Sequence, residues 1–193
     1  MKRRKQEFYE AVVKHPIIAA VKDEKGLQTC IRLQEIGVVF VLYGGISNIG
    51  DIVKRLKEAG KTVIVHMDLI MGLSAKEEAV VFIAKYTQAD GIISTRMDQI
   101  RRAGELSLFT VYRIFAIDSR VMDHVSIKRA MSEYVDFVEI LPGLMPKIIR
   151  MMKKKLTVPL ITGGLITEKA DVIAALDAGA VAISTTNEDV WMM

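Results

Sequence analysis

Eight short apolar runs, each followed by a stretch of helical periodicity, constrain this chain more than any other feature. The runs cover residues 17–21, 38–43, 62–66, 91–94, 110–114, 137–141, 159–162 and 181–184. They are rich in Val and Ile, and most lack polar alternation. Strands that are covered on both faces read this way. The intervening segments place apolar residues at helical spacing, as at Ile52, Val53, Leu56 and Ala59, and glycines such as Gly37, Gly60 and Gly179 follow them. Repeated strand–helix units predict a parallel sheet with helices outside. Eight similar units favour closure over a doubly wound open sheet. The expected fold is α/β: a single (βα)8 TIM-type barrel over residues 1–193. At roughly 20–25 residues per unit it is compact for a fold whose common size is ~250 residues.

Composition narrows the setting. Hydrophobic residues make up 51% of the 193, enough for a packed α/β core. Cys30 is the one cysteine, so no internal disulfide forms, in keeping with a reducing compartment. No apolar run approaches the ~18 residues of a membrane span. The basic start, Lys2-Arg3-Arg4-Lys5, leads into Phe8-Tyr9-Glu10 rather than an apolar region, unlike a signal peptide. A cytoplasmic protein without membrane contact is expected. The net charge of +4 permits an anionic partner without specifying one.

In a barrel, chemistry sits at the carboxyl ends of the strands. The sharpest signal lies on the last two. Gly163 and Gly164 end the seventh run, and Ser184, Thr185 and Thr186 end the eighth before a helix start. Glycines let backbone N–H groups approach an anion, and a helix start adds unpaired N–H groups. Either motif alone reads as an ordinary turn or cap; together they predict a phosphate site. Gly44 and Gly45 after the second strand fit a plain turn or a ligand approach equally well.

The charged groups at the mouth have two readings each. Lys22 neutralises an anion or is merely solvated. His66 is an acid–base group, a neutral partner for a ligand hydroxyl, or a satisfied core histidine. Asp68 binds hydroxyls or caps a turn. Arg96 and Arg113 form a second anion clamp, or each pairs with a neighbouring carboxylate. Glu139, alone in an apolar strand, faces the barrel interior or a loop, with the mouth expected. His15, His66 and His124 are scattered, there is no Cys-x-x-Cys, and no metal site is expected. No nucleophile elbow or Walker-type phosphate loop is present, and no catalytic residue is assigned.

Basic residues cluster on helices. Lys147, Arg150 and Lys154 share a face of the sixth helical segment beside Lys153 and Lys155. Lys54, Arg55, Lys57 and Lys61 cluster after the second strand, and Lys2 to Lys5 form a third group. A solvated face is the default for each, and a nucleic-acid surface requires several to merge. Aromatics total 6%, so stacking platforms for single strands are not evident.

Several blocks resemble the glycerol uptake operon antiterminator regulatory proteins. They are Pro16-Ile-Ile-Ala-Ala-Val-Lys-Asp23, Val41-Leu-Tyr-Gly-Gly-Ile-Ser-Asn48, Val65-His-Met-Asp-Leu-Ile-Met-Gly-Leu73, Asp90-Gly-Ile-Ile-Ser-Thr-Arg96, Ile140-Leu-Pro-Gly143 and Leu160-Ile-Thr-Gly-Gly-Leu-Ile166. The resemblance spans nearly the whole chain. It implies a barrel that binds glycerol 3-phosphate as an effector, with no cofactor. It also implies action on leader mRNA of glycerol-utilisation genes, permitting transcription past a terminator, through a shift among conformers or homo-oligomers. By that resemblance the phosphate lies on Gly163, Gly164, Ser184 and Thr185. Position alone adds Lys22, His66, Asp68 and Glu139 for the glycerol hydroxyls, with Gly44 and Gly45 nearby. Lys147, Arg150 and Lys154 are the candidate RNA contacts. The rival reading is a barrel enzyme acting on a small phosphorylated sugar or polyol. Against it, strand six ends without a Schiff-base lysine, and His66-Met-Asp-Leu-Ile-Met71 lacks the Asp-x-Lys-x-x-Asp array of phosphate-handling decarboxylases.

Overall fold

Eight parallel strands close on themselves in the order β1 to β8, with β8 returning to pair with β1. The computed structural model describes residues 2–118 and 133–193. The strands are β1 Ile17–Val21, β2 Val38–Val41, β3 Thr62–His66, β4 Gly91–Ser94, β5 Phe109–Phe115, β6 Phe137–Leu141, β7 Leu160–Gly163 and β8 Ala182–Thr185. All eight expected runs are strands, and the barrel is the one the periodicity predicts. The bounds of four strands shift by one or two residues. β2 stops at Val41, β5 extends to Phe109 and Phe115, and β7 and β8 each move one residue along the chain.

The helices are α1 Lys2–Lys14, α2 Glu24–Arg32, α3 Ile49–Glu58, α4 Glu78–Tyr86, α5 Met97–Glu105, α6 Pro146–Lys155, α7 Lys169–Asp177 and the short α8 Glu188–Trp191. His124 and the side chains of Lys2 to Lys5 lie outside the described residues. Gly60 and Gly179 adopt left-handed backbone after α3 and α7, as a helix terminator does, whereas Gly37 does not.

Alternation along each strand sorts the apolar residues into two cores. One set faces the helices: Ala19, Val39, Val63, Ile92, Val138 and Ile183 pack against Leu27, Leu56, Ile83, Ile100 and Ile149. The other set fills the barrel: Ile18, Phe40, Ile64, Ile93, Val111, Phe137, Ile161 and Ala182. That is why the strands read as predominantly apolar runs.

Among the described residues, the longest element missing from the strand–helix reading is α1. It precedes β1 and inserts Phe8 and Val12 into the inner core, both essentially without solvent exposure. Phe8 stacks on Phe109 at a centroid distance of 4.3 Å and meets Phe137 edge-on at 5.0 Å. This helix stoppers the lower, N-terminal end of the barrel. The open end is the upper one, where the polar strand ends lie.

Candidate ligand site at the barrel mouth

Above Val111, Phe137 and Ile161 the barrel interior turns polar. The next inward positions are Arg113 on β5, Glu139 on β6, Gly163 on β7 and Ser184 on β8, with His66 on β3. Arg113 and Glu139 are register partners on adjacent strands. The Arg113 Nε donates to Glu139 Oε2, and the Ser184 hydroxyl donates to Glu139 Oε1. Glu139 is 0% exposed and Arg113 8%. A carboxylate this deep persists only when paired and hydrogen-bonded, and both of its oxygens are.

The bond from Ser184 to Glu139 crosses β7, and Gly163 makes that crossing feasible. A Cβ at Gly163 would lie 2.2 Å from Ser184 Oγ and 2.9 Å from Glu139 Oε1. Gly163 thus leaves the gap through which strands six and eight meet. The expected phosphate residues therefore separate into two groups. Gly163 and Ser184 lie inside, below the rim. Thr185 faces the other way: its hydroxyl donates to the Ile166 carbonyl at 2.7 Å and accepts from the Asn187 N–H. It ties the loop after β7 to the loop after β8, assisted by Asn187 Nδ2 donating to the Thr167 carbonyl.

Gly164 sits at the rim itself. Its φ of 78° is left-handed, and Leu165 follows at 64°. A leucine in that region costs on the order of 1 kcal/mol and is held there only by its surroundings. The N–H groups of Gly164, Leu165, Ile166 and Thr186 donate to no acceptor among the described residues. Successive free amides at a left-handed turn form an anion-binding concavity. Leu165, Ile166 and Thr186 are additions that residue type did not reveal, because their contribution is backbone. The Gly164 carbonyl accepts from the Gly143 N–H at 3.1 Å, which joins this loop to the segment leading into α6.

The other expected residues divide similarly. Lys22 is exposed, with no partner among the described residues. Gly44 and Gly45 serve loop–loop contact. Gly44 O accepts from Met71 N, Ile46 N donates to Met71 O, and a Cβ on Gly45 would approach the Met71 carbonyl to 3.2 Å. Asp68 accepts from the Thr95 N–H at 2.9 Å and its hydroxyl at 3.1 Å, and from Arg96 Nε at 3.3 Å. Its carboxylate fastens the β3 end to the β4 end. Arg96 and Arg113 each pair with a carboxylate, Asp68 and Glu139, and do not converge as a clamp.

His66 is 3% exposed, and its Nδ1 has no hydrogen-bond partner; Asp68 Oδ2 is 3.9 Å away. Burial, reinforced by the Arg113 charge, pushes its pKa down to about 3 from an ordinary 6.5. The ring is neutral at physiological pH. Between those two values the unfolded chain binds a proton that the folded barrel refuses. Stability is therefore full above about pH 6.5 and falls as pH drops toward 3, by up to about 1.4 kcal/mol per pH unit. His66→Gln should flatten the melting temperature against pH between 6.5 and 4 relative to wild type. Parallel profiles for the two proteins would assign the acid sensitivity elsewhere.

A cavity of about 590 Å³ opens beside the start of β1, lined by His15, Ile17, Glu35, Ile36 and Met192 among others. It lies at the opposite end from the mouth. Among the described residues no three His, Cys, Asp or Glu side chains gather as metal ligands do. No described helix is long and apolar enough to cross a membrane.

Eight parallel strands closed into a ring, with helices outside and a polar upper mouth, define the class of (βα)8 barrel proteins. The chain belongs to the glycerol-3-phosphate responsive antiterminator family, which it matches over residues 17–191. It is similar to the crystal structure of a glycerol uptake operon antiterminator regulatory protein from Listeria monocytogenes. That TM-score is 0.86 at 31% identity, covering 91% of this chain and 94% of the other. A glycerol uptake operon antiterminator-related protein from Thermotoga maritima gives 0.79 at 35% identity, covering 92% and 98%. The uncharacterized protein YgcP of Escherichia coli K12 is 42% identical over 179 residues, 93% of each chain. An aldolase is a more distant structural neighbour, with a TM-score of 0.71 at 13% identity, a likeness of fold alone. The chain is thus a member of a regulatory family built on a barrel that enzymes also use.

Proposed function

We propose that this protein is a cytoplasmic transcription antiterminator that binds glycerol 3-phosphate at its barrel mouth and, so liganded, binds leader mRNA of glycerol-utilisation operons. The observation that carries the ligand half is the run of free amides at Gly164, Leu165 and Ile166 beside that of Thr186. Gly163, Ser184 and Thr185 build and brace that loop, while His66 lies at the end of β3 and the exposed Lys22 directly follows β1. Glu139 and Asp68 hold neighbouring groups in place. Gly44 and Gly45 shape the adjoining rim.

The RNA half rests on charge. The basic cluster on and after α3 is consumed internally: Arg55 pairs with Glu24, Lys57 with Asp90 and Lys54 with Glu58, and Lys61 donates to the Leu33 and Ile36 carbonyls. On α6, by contrast, Lys147, Arg150, Lys153 and Lys154 are exposed and have no partner among the described residues, and the helix contains no acid. An uncompensated basic helix face fits a phosphate backbone. Its attachment to the ligand loop through Gly143 and Gly164 offers a short route by which a ligand could bias it. That bias requires different ligand affinities in two conformers or oligomeric states.

The enzyme reading has weaker footing. Glu139 has both oxygens occupied, and a histidine with a pKa of about 3 is poorly matched to proton transfer near neutrality.

The test is binding of a glycerol-operon leader RNA with and without glycerol 3-phosphate at two salt concentrations. The expected result is ligand-enhanced binding that weakens with salt. Lys147→Glu with Arg150→Glu should lower affinity on the order of tenfold or more and reduce the salt slope by about one per lost contact. RNA binding that ignores the ligand would sink the gating. An unaffected double variant would remove α6 as the contact surface.

A further inference from the structure

The Arg113–Glu139 pair has more donors than the barrel uses. Arg113 spends Nε on Glu139. Its two terminal nitrogens pair with nothing among the described residues, although the side chain is nine-tenths buried. Glu139, fully buried, has no free oxygen to offer a ligand. The guanidinium thus has hydrogen-bonding capacity left at the floor of the mouth, and two strands along the ring, beyond β4, His66 on β3 holds an unpartnered buried Nδ1.

We infer that Arg113 is the recognition residue for the unphosphorylated end of the ligand, that Glu139 and Ser184 are positioning residues for it, and that His66 is its companion at that floor. The assignment rests on the glycerol 3-phosphate reading above and deepens it. Gly163 and Arg113 flank the same Glu139 carboxylate. A ligand with its phosphate on the amides just above Gly163 needs only a short chain to reach the guanidinium. The charges select what that chain carries. Arg113 and Glu139 cancel, and His66 is neutral, so the floor presents fixed donors without net charge. Such a floor suits hydroxyls. It disfavours a second anionic group, which would be drawn from water without a surplus cation to meet it. The selected class is the monophosphate ester of a short polyol, rather than a phosphorylated acid.

Calorimetric titration of the full chain with glycerol 3-phosphate, 3-phosphoglycerate and inorganic phosphate tests this. Wild type should bind glycerol 3-phosphate tightest. Arg113→Lys keeps the charge and loses the planar fork. It should weaken glycerol 3-phosphate by about tenfold or more and leave inorganic phosphate within about twofold. Glu139→Gln makes the floor cationic and should move the preference toward 3-phosphoglycerate by about tenfold. Each readout is a ratio of ligands on one folded variant, which general misfolding cannot mimic. Unchanged glycerol 3-phosphate affinity in Arg113→Lys overturns the assignment, as does an equal loss for inorganic phosphate. So does a wild type that binds inorganic phosphate as tightly as its glycerol ester. A wild type that binds none of the three overturns the underlying ligand reading instead.

Discussion

Gly163→Ala should lower the melting temperature of the barrel by roughly 6–12 °C, corresponding to a loss of about 3 kcal/mol. The added methyl would lie 2.2 Å from Ser184 Oγ and 2.9 Å from Glu139 Oε1. Neither neighbour can swing aside cheaply. Ser184 is held by its bond to Glu139, and Glu139 is held by Ser184 and Arg113 inside a closed ring of strands. Ser184→Ala in the same chain removes the nearer clash, so the double variant should be more stable than the two single losses predict. Thermal melts of the three variants suffice. A Gly163→Ala melt within about 2 °C of wild type would mean that the mouth is softer than this packing requires.

The second large effect is asymmetric. Arg113→Met strands a carboxylate with no solvent exposure, and stability should fall by about 3–5 kcal/mol. Arg113→Met with Glu139→Leu and Ser184→Ala replaces the whole network by apolar groups and should recover most of that loss. Urea titrations at one pH compare the two. If the triple variant is no better than Arg113→Met, the cost comes from lost packing of the arginine stem rather than from an orphaned charge.

The fold was legible because burial on both faces leaves each strand as a mostly apolar run, its few polar residues falling short of a regular alternation. Boundaries slipped where neighbours were also apolar, as at Phe109 and Phe115 on β5. The helix before β1 escaped the repeat because it belongs to no strand–helix unit, although Phe8 and Val12, four residues apart, carry the helical spacing of its buried face. Within the site, the left-handed backbone at Gly164 is what a glycine at a strand end readily adopts. Gly163 was expected at the phosphate, and its packing role was not readable, because its need for a missing side chain depends on Ser184 and Glu139 meeting across it. Ser184 and Thr185 were grouped as neighbours in sequence. The two-residue period of a strand sends them to opposite faces, and that period was available in the sequence. Arg113 shares the parity of Phe109 and Val111, both inward-facing, so its direction was also readable. Its partner on the next strand was not, because register requires the folded sheet.

Closure of the barrel limits how this protein can meet others. A ring of eight paired strands presents no unsatisfied sheet edge, so a neighbour cannot join it by extending a strand ladder. Any association, with a second copy or with a polynucleotide, has to be written in the side chains of the outer helices and in the loops. Such contacts can be lost or gained by single substitutions without disturbing the hydrogen-bonded frame. Recognition can therefore diverge quickly among relatives while the barrel stays the same.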